Sequence, residues 1–296
     1  MTAQQGRERR HAPEGRLDLY SSVAHDSSRV VIARYSTSFA MATRLLSPSI
    51  RSQVEDVYAL VRIADEVVDG ATTQAGLDAL AAARVLNDLE RDTEQALEDG
   101  FSANLVVHSF ARTALATGFG AELTRPFFAS MRMDLDQREH DERSFDEYVY
   151  GSAEVVGLMC LRAFLRDETV TPEQDARLVE GARKLGAAFQ KVNFLRDLAA
   201  DFHTLGRSYF PGIAVGSFTE EDKLRLVDDI DADLAVSAAI VPELPAGARR
   251  AVWLAQALFQ ELNARIRRTP ADRLVEARVR VPAAVKWRLA AQAVTK

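Results

Sequence analysis

Apolar residues recur at the i, i+3, i+4, i+7 spacing of amphipathic helices along almost the whole chain. The pattern predicts helices near residues 18–45, 49–69, 75–99, 103–117, 121–139, 144–165, 172–203, 219–237, 246–268 and 282–294. Several starts carry capping signals. Ser47-Pro48 and Thr171-Pro172 each set a cap residue before a proline at the first helical position, and Ser144 with Glu147 fits a capping box. No region is dense in strand patterns, and the longest non-helical piece is expected over residues 204–218. The reading is an all-α fold: one helical domain over residues 16–296 behind a disordered tail, residues 1–15.

Two of these helices are polar where a core helix should be apolar. Tyr58, Arg62, Asp65 and Asp69 fall at i, i+4, i+7 and i+11, on one face among Val57, Leu60, Val61, Ile63, Val67 and Val68. Gly186, Gln190, Asn193, Asp197 and Asp201 repeat the arrangement within LGAAFQKVNFLRDLAADF, with Arg196 beside Asp197. A lone Asp-x-x-x-Asp pair, such as Asp88 with Asp92, reads as a solvated face. Two pairs that each close a narrow polar stripe in an apolar helix need a neutralising partner, because an unpaired charge taken out of water is costly. Arg62 and Arg196 offset part of the charge. Carboxylates and an asparagine oxygen are hard ligands suited to Mg²⁺ or Mn²⁺, and Mg²⁺ commonly shares its shell with phosphate oxygens. The expectation is a diphosphate held by Mg²⁺ between two helices, with an apolar cavity behind it.

Composition narrows the alternatives. The 296 residues are 47% hydrophobic and 27% charged, with 15 Gly and 9 Pro, enough apolar material for a sizeable core of long helices. A net charge of −6 argues against nucleic acid as a partner. The single cysteine, Cys160, permits no intrachain disulfide and no cysteine-based zinc site. The five histidines supply a single Glu-x-x-His, Glu8 with His11 in the N-terminal tail, where a di-iron bundle needs one on each of two core helices, so that reading is rejected. No GxGxxG follows a strand, so no nicotinamide cofactor is expected. The basic, polar N-terminus is no signal peptide, and no run reaches the roughly 18–20 apolar residues of a membrane span. A cytoplasmic location follows as the expectation.

At this point the residues resemble a known family, the squalene/phytoene synthases, over about residues 20 to 290. YSTSFAMATRLLSPSIR resembles the family's opening Ser-x-Ser-Phe segment, and YALVRIADEVVDG its first aspartate-rich motif. FQKVNFLRDLAADFHTLGRSYFP resembles the second, with its Gly-Arg-x-Tyr-x-Pro, and YVYGSAEVVGLMC the tyrosine-rich pocket helix. The resemblance implies an isoprenoid-synthase-type bundle with a central apolar cavity. It implies Asp65, Asp69, Asn193, Asp197 and Asp201 as the metal ligands. It further implies that Tyr35, Ser36, Ser38, Phe39, Tyr58, Arg62, Gln190, Arg196 and Arg207 line the diphosphate end or pocket, and that Tyr148 and Gly157 lie on the prenyl-tunnel helix and take part in substrate binding. MRMDL, residues 131–135, resembles the phytoene-type branch; its bland reading is a plain amphipathic helix. Departures are Ala200 where many members have Glu, Lys191 for Leu, Glu154 for Gly on the pocket helix, and Leu258 and Phe259 where many have Tyr.

The activity so implied is phytoene synthesis in carotenoid biosynthesis: two geranylgeranyl diphosphates joined head to head through a cyclopropyl diphosphate, with Mg²⁺ and no NADPH. Sister readings are dehydrosqualene or presqualene diphosphate from farnesyl diphosphate, a terpene cyclase, or a non-catalytic family member. Tyr58, Tyr148 and Tyr150 are candidates for steering a cation with their ring faces, against the bland reading of ordinary core aromatics with bonded hydroxyls, which is preferred for Tyr150. Cys160 reads as a small core residue, and the charged run 134–143 with His140 as a solvated face or loop. The water-insoluble product leaves room for peripheral membrane contact, for which Arg29 to Leu46 is the best stretch, and for handover to a carotenoid desaturase.

Overall fold

The computed structural model describes residues 15–137, 139–200, 209–213 and 217–296. Of the expected tail only Gly15 falls among them, and of the expected connection 204–218 only residues 209–213 and 217–218. The described residues form helices α1 (Arg16–Tyr35), α2 (Thr37–Thr43), α3 (Pro48–Asp69), α4 (Ala71–Gln74), α5 (Ala79–Asp99), α6 (Leu105–Thr117) and α7 (Ala121–Asp136). There follow α8 (Glu142–Val149), a π turn (Tyr150–Glu154), α9 (Val155–Leu165), α10 (Pro172–Ala200), α11 (Glu220–Ile240), α12 (Ala246–Arg268), α13 (Ala271–Leu274) and α14 (Ala283–Val294). No strand occurs among the described residues.

Most boundaries lie within a turn of the sequence expectation; the differences have local causes. The helix expected over 18–45 breaks at Ser36, whose backbone is extended (φ −136°, ψ 121°) and whose hydroxyl accepts from the Phe39 N–H to start α2. The capping box expected from Ser144 and Glu147 is instead Asp141 with Ser144. Asp141 Oδ1 accepts from the Ser144 N–H at 2.7 Å, and Ser144 Oγ from the Asp141 N–H at 3.0 Å. The pocket helix is interrupted by the π turn, where Gly151 lies so close to α7 that a Cβ would stand 2.2 Å from the Pro126 carbonyl oxygen.

Two apolar clusters carry the packing. One joins α3, α5, α6, α7 and α9 around Val57, Leu86, Phe110, Phe127 and Met159. The other joins α8, α10, α11 and α12 around Tyr148, Leu195, Ile230 and Leu262. Lys191, the departure on α10, turns to α11 and donates to Asp229 and Asp233 at 2.6 and 2.8 Å. Asp88 is exposed as expected, whereas Asp92 accepts from the Ser102 hydroxyl at 2.8 Å.

A polar contact crosses the first cluster. His25 Nδ1 of α1 lies 3.0 Å from Asp56 Oδ1 of α3, and Asp56 Oδ2 accepts from the Thr113 hydroxyl of α6 at 2.9 Å. The bond to Asp56 holds the His25 pKa above 6.5 against the opposing effect of burial. A raised histidine contributes stability that is fully present below the unfolded pKa and lost as pH climbs through the folded one. The melting temperature should therefore fall as pH rises above about 6.5, and fall less in His25→Gln, as read by thermal unfolding under circular dichroism. An identical pH slope in the variant would contradict this.

Candidate functional site

One apolar cavity of about 270 Å³ is walled by residues of α1, α2, α3, α9, α10, α11 and α12. On α3 its lining runs Val54, Val57, Tyr58, Val61; on α10 it runs Leu185, Gly186, Phe189, Gln190, Asn193. Each stripe continues one turn further into an aspartate, Asp65 on α3 and Asp197 on α10. The two aspartate-rich faces of the sequence are thus the continuations of two walls of one cavity. Gly157 and Phe39 also line it, as does Cys160, whose thiol burial pushes up to about 12 and so keeps protonated.

The carboxylates are matched by guanidinium groups. Arg62 pairs with both Asp65 and Glu66, and stacks its charge 4.7 Å from the centre of the Tyr35 ring. Asp197 pairs with its neighbour Arg196 and with Arg278, whose Nε lies 2.6 Å from Asp197 Oδ1. Burial, and then the charge of Asp69, push the Asp65 pKa from 3.8 up to about 7, with Arg62 pulling the other way. Burial likewise raises Tyr58, and Arg62 opposes it. The Ser36 hydroxyl caps α2, and Lys286 of α14 donates to the Ser38 hydroxyl at 3.1 Å.

Two orphaned polar atoms indicate what this end of the cavity could hold. Among the described residues, Asn193 Oδ1 is buried without a hydrogen-bond donor, and Arg62 Nε is buried without an acceptor. An oxygen lacking a donor suits a cation, and an N–H lacking an acceptor suits an anion oxygen. Asp65, Asp69, Asn193 and Asp197 are all oxygen ligands, so the donor set fits Mg²⁺ or Mn²⁺. Among the described residues no three His, Cys, Asp or Glu side chains converge on one point. A cation held by the described residues would share its shell with ligand oxygens or water. Asp201 and Arg207 lie outside the described residues.

Three sequence expectations need correcting. Tyr148 is not in the cavity lining; it is buried, and its hydroxyl donates to Asp134 at 2.9 and 3.0 Å. Tyr150 and Glu154 are not in the lining either. The Arg183 guanidinium lies over the Tyr150 ring at 5.4 Å and donates to Glu154 at 2.6 Å, holding both away from the tunnel wall. The run 134–143 is not all solvated: Asp134 and His140 are both buried, His140 against the Tyr148 and Tyr209 rings. Leu258 and Phe259 are also buried, the latter stacked on Phe189 at 3.8 Å.

Sequence reasoning missed Asp134, Arg278 and Lys286. Asp134 accepts from the Tyr209 hydroxyl as well, at 3.1 Å, and its charge adds to the rise at Asp65. A signal for it existed, because it continues the buried register Leu123, Phe127, Met131 of α7. Arg278 and Lys286 had none, since each reaches its partner from a distant part of the chain.

The family described as squalene/phytoene synthase matches residues 32–215. A 15-cis-phytoene synthase of Paracoccus sp. is 31% identical over 191 residues, which are 63% of this chain and 59% of that protein, less than two thirds of its length. A phytoene synthase of Pseudescherichia vulneris is 26% identical over 263 residues, 82% of each chain. Among solved structures, a dehydrosqualene synthase in complex with ligand superposes with a TM-score of 0.72 at 22% identity, covering 94% of this chain and 97% of that one. At that identity the likeness speaks for the fold, which is all-α.

Proposed function

The chain belongs to the squalene/phytoene synthase family, and on that premise we propose that it condenses two molecules of geranylgeranyl diphosphate head to head. The route runs through a cyclopropyl diphosphate to phytoene, as a prenyltransferase of carotenoid biosynthesis that needs a divalent cation and no NADPH. The observation that carries this reading is the pair of aspartate faces continuing two walls of a single apolar cavity.

In this reading Asp65, Asp69, Asn193, Asp197 and Asp201 hold Mg²⁺ or Mn²⁺. The bound cations supply charge neutralisation for a departing diphosphate. Arg62, Arg196 and Arg278 are placed to bind diphosphate oxygens once the carboxylates they now pair with turn to metal. Ser36, Ser38 and Lys286 bind the same group from the α2 side. Tyr58 and Phe39, both in the lining with ring centres 6.2 Å apart, present ring faces to a developing carbocation. Leu185, Phe189, Val57 and Gly157 receive the prenyl chains and keep water from trapping the cation as an alcohol. Tyr148 acts through Asp134 rather than on the tunnel wall: the two tyrosine hydroxyls on Asp134 tie α8 and the Tyr209 segment to α7.

The test is product identification. Purified protein is incubated with Mg²⁺ and either geranylgeranyl or farnesyl diphosphate, without nicotinamide, and the extracted hydrocarbon is analysed by mass spectrometry. Phytoene from the longer substrate is the expected result. Dehydrosqualene from the shorter one would move the chain to a sister activity, and no product from either would overturn the reading.

A further inference from the structure

We propose that the outer face of α14 is a docking surface for an anionic lipid bilayer. The helix is apolar on two opposite sides. Its inner side, Leu289, Ala290 and Ala293, packs on Met41 and Ala42 of α2, on Leu45 just after it, and on Leu254 and Leu258 of α12. Its outer side, Ala284, Trp287, Ala291 and Val294, falls at i, i+3, i+7 and i+10, a second stripe on the opposite face. That stripe faces solvent: Trp287 is 63% exposed and Val294 55%. A short surface helix with an exposed tryptophan beside arginines is the pattern of a helix lying in a membrane interface.

Charge selects the partner. The chain carries a net −6, yet residues 277–296 hold five Lys and Arg and no Asp or Glu. Residues 27–54, which include α2, hold four Arg and again no Asp or Glu. Arg278 and Lys286 turn inward to Asp197 and Ser38. Arg44, Arg280 and Arg288 are exposed, with no carboxylate partner among the described residues. The two segments that pack together here are thus basic and carry no acidic residue in an otherwise acidic chain, which complements an anionic surface.

Position gives the face a use. α2, on which α14 packs, contributes Phe39, Ala42 and Thr43 to the wall of the apolar cavity. A bilayer bound at α14 would have α14 and α2 between it and that cavity, near enough to receive a lipid-like product. The inference takes only this purpose from the prenyl reading; the binding itself is tested without substrate or Mg²⁺.

The chain has two tryptophans, so Trp253→Phe leaves Trp287 as the sole reporter. Vesicles of phosphatidylcholine with phosphatidylglycerol should shift its emission to the blue and shield it from an aqueous quencher, while pure phosphatidylcholine should do neither. In flotation with the full chain, Arg280→Glu/Arg288→Glu should weaken binding about tenfold or more, and Trp287→Ser should weaken it in a protein whose circular dichroism and melting are unchanged. Wild-type protein that stays unbound on anionic vesicles would overturn the proposal, as would binding that survives all three substitutions. Self-association in sedimentation velocity that Trp287→Ser abolishes would assign the face to a second copy and overturn it too.

Discussion

Replacing Asp65 with asparagine is expected to cut turnover by about a hundredfold to a thousandfold, the scale of removing one charge-stabilising group from a transition state. The same substitution should raise the melting temperature of the metal-free protein at neutral pH. The two effects have opposite signs for a physical reason. Burial and Asp69 hold the Asp65 pKa near 7, above its ordinary 3.8. Between those values the folded chain keeps a proton that the unfolded chain releases, so stability falls as pH rises through the window. Asparagine removes that penalty and leaves Arg62 its pairing with Glu66. A variant that is both inactive and less stable would mean that Asp65 serves the fold through Arg62. A variant that is more stable and fully active would remove it from the chemistry.

The second large effect falls on the helix contact beneath the cavity. A Cβ on Gly157 would stand 2.5 Å from the Ala182 carbonyl oxygen, and one on Gly186 would stand 2.5 Å from that of Ala153. The two glycines let the pocket helix and α10 approach backbone to backbone. Alanine at a helical glycine gains up to about 1 kcal/mol in propensity. Overpacking a close contact costs about 1–3 kcal/mol, and here the opposing atom is main chain and cannot rotate aside. The clash wins, so Gly157→Ala should lose about 1–2 kcal/mol of stability and lower the melting temperature by several degrees. Both glycines also line the cavity, so spreading the helices should lower activity together with stability. Unchanged melting of Gly157→Ala would show that the helices can part freely.

These effects map onto what could be read before any coordinates. The helical period exposed nearly every long helix, because each buries an unbroken apolar face. It could not find the break at Ser36, since Ile32, Phe39 and Ala42 keep the helical spacing across it and only the extended backbone at Ser36 separates α1 from α2. The narrow stripes ending at Asp69 and Asp201 were legible because the surrounding positions are apolar, so four polar residues in register stood out in each. Asp134 was not, because acidic neighbours made its run look solvated although its register continues the buried face of α7. The pairing of Arg278 with Asp197, 81 positions apart, leaves no local trace at all. Tyr148 shows the reverse case. A motif resemblance set it on the tunnel, whereas an acceptor on another helix, Asp134, draws its hydroxyl out of the lining.

The claim that everything else depends on is that the two aspartate faces hold divalent cations against a diphosphate. Electron paramagnetic resonance of Mn²⁺ tests it directly, by titrating the metal into wild-type protein, Asp65→Asn and Asp197→Asn with inorganic diphosphate present. The account predicts that wild type depletes the free Mn²⁺ signal in a diphosphate-dependent way and that both variants lose most of this. Undiminished binding in both variants would contradict it.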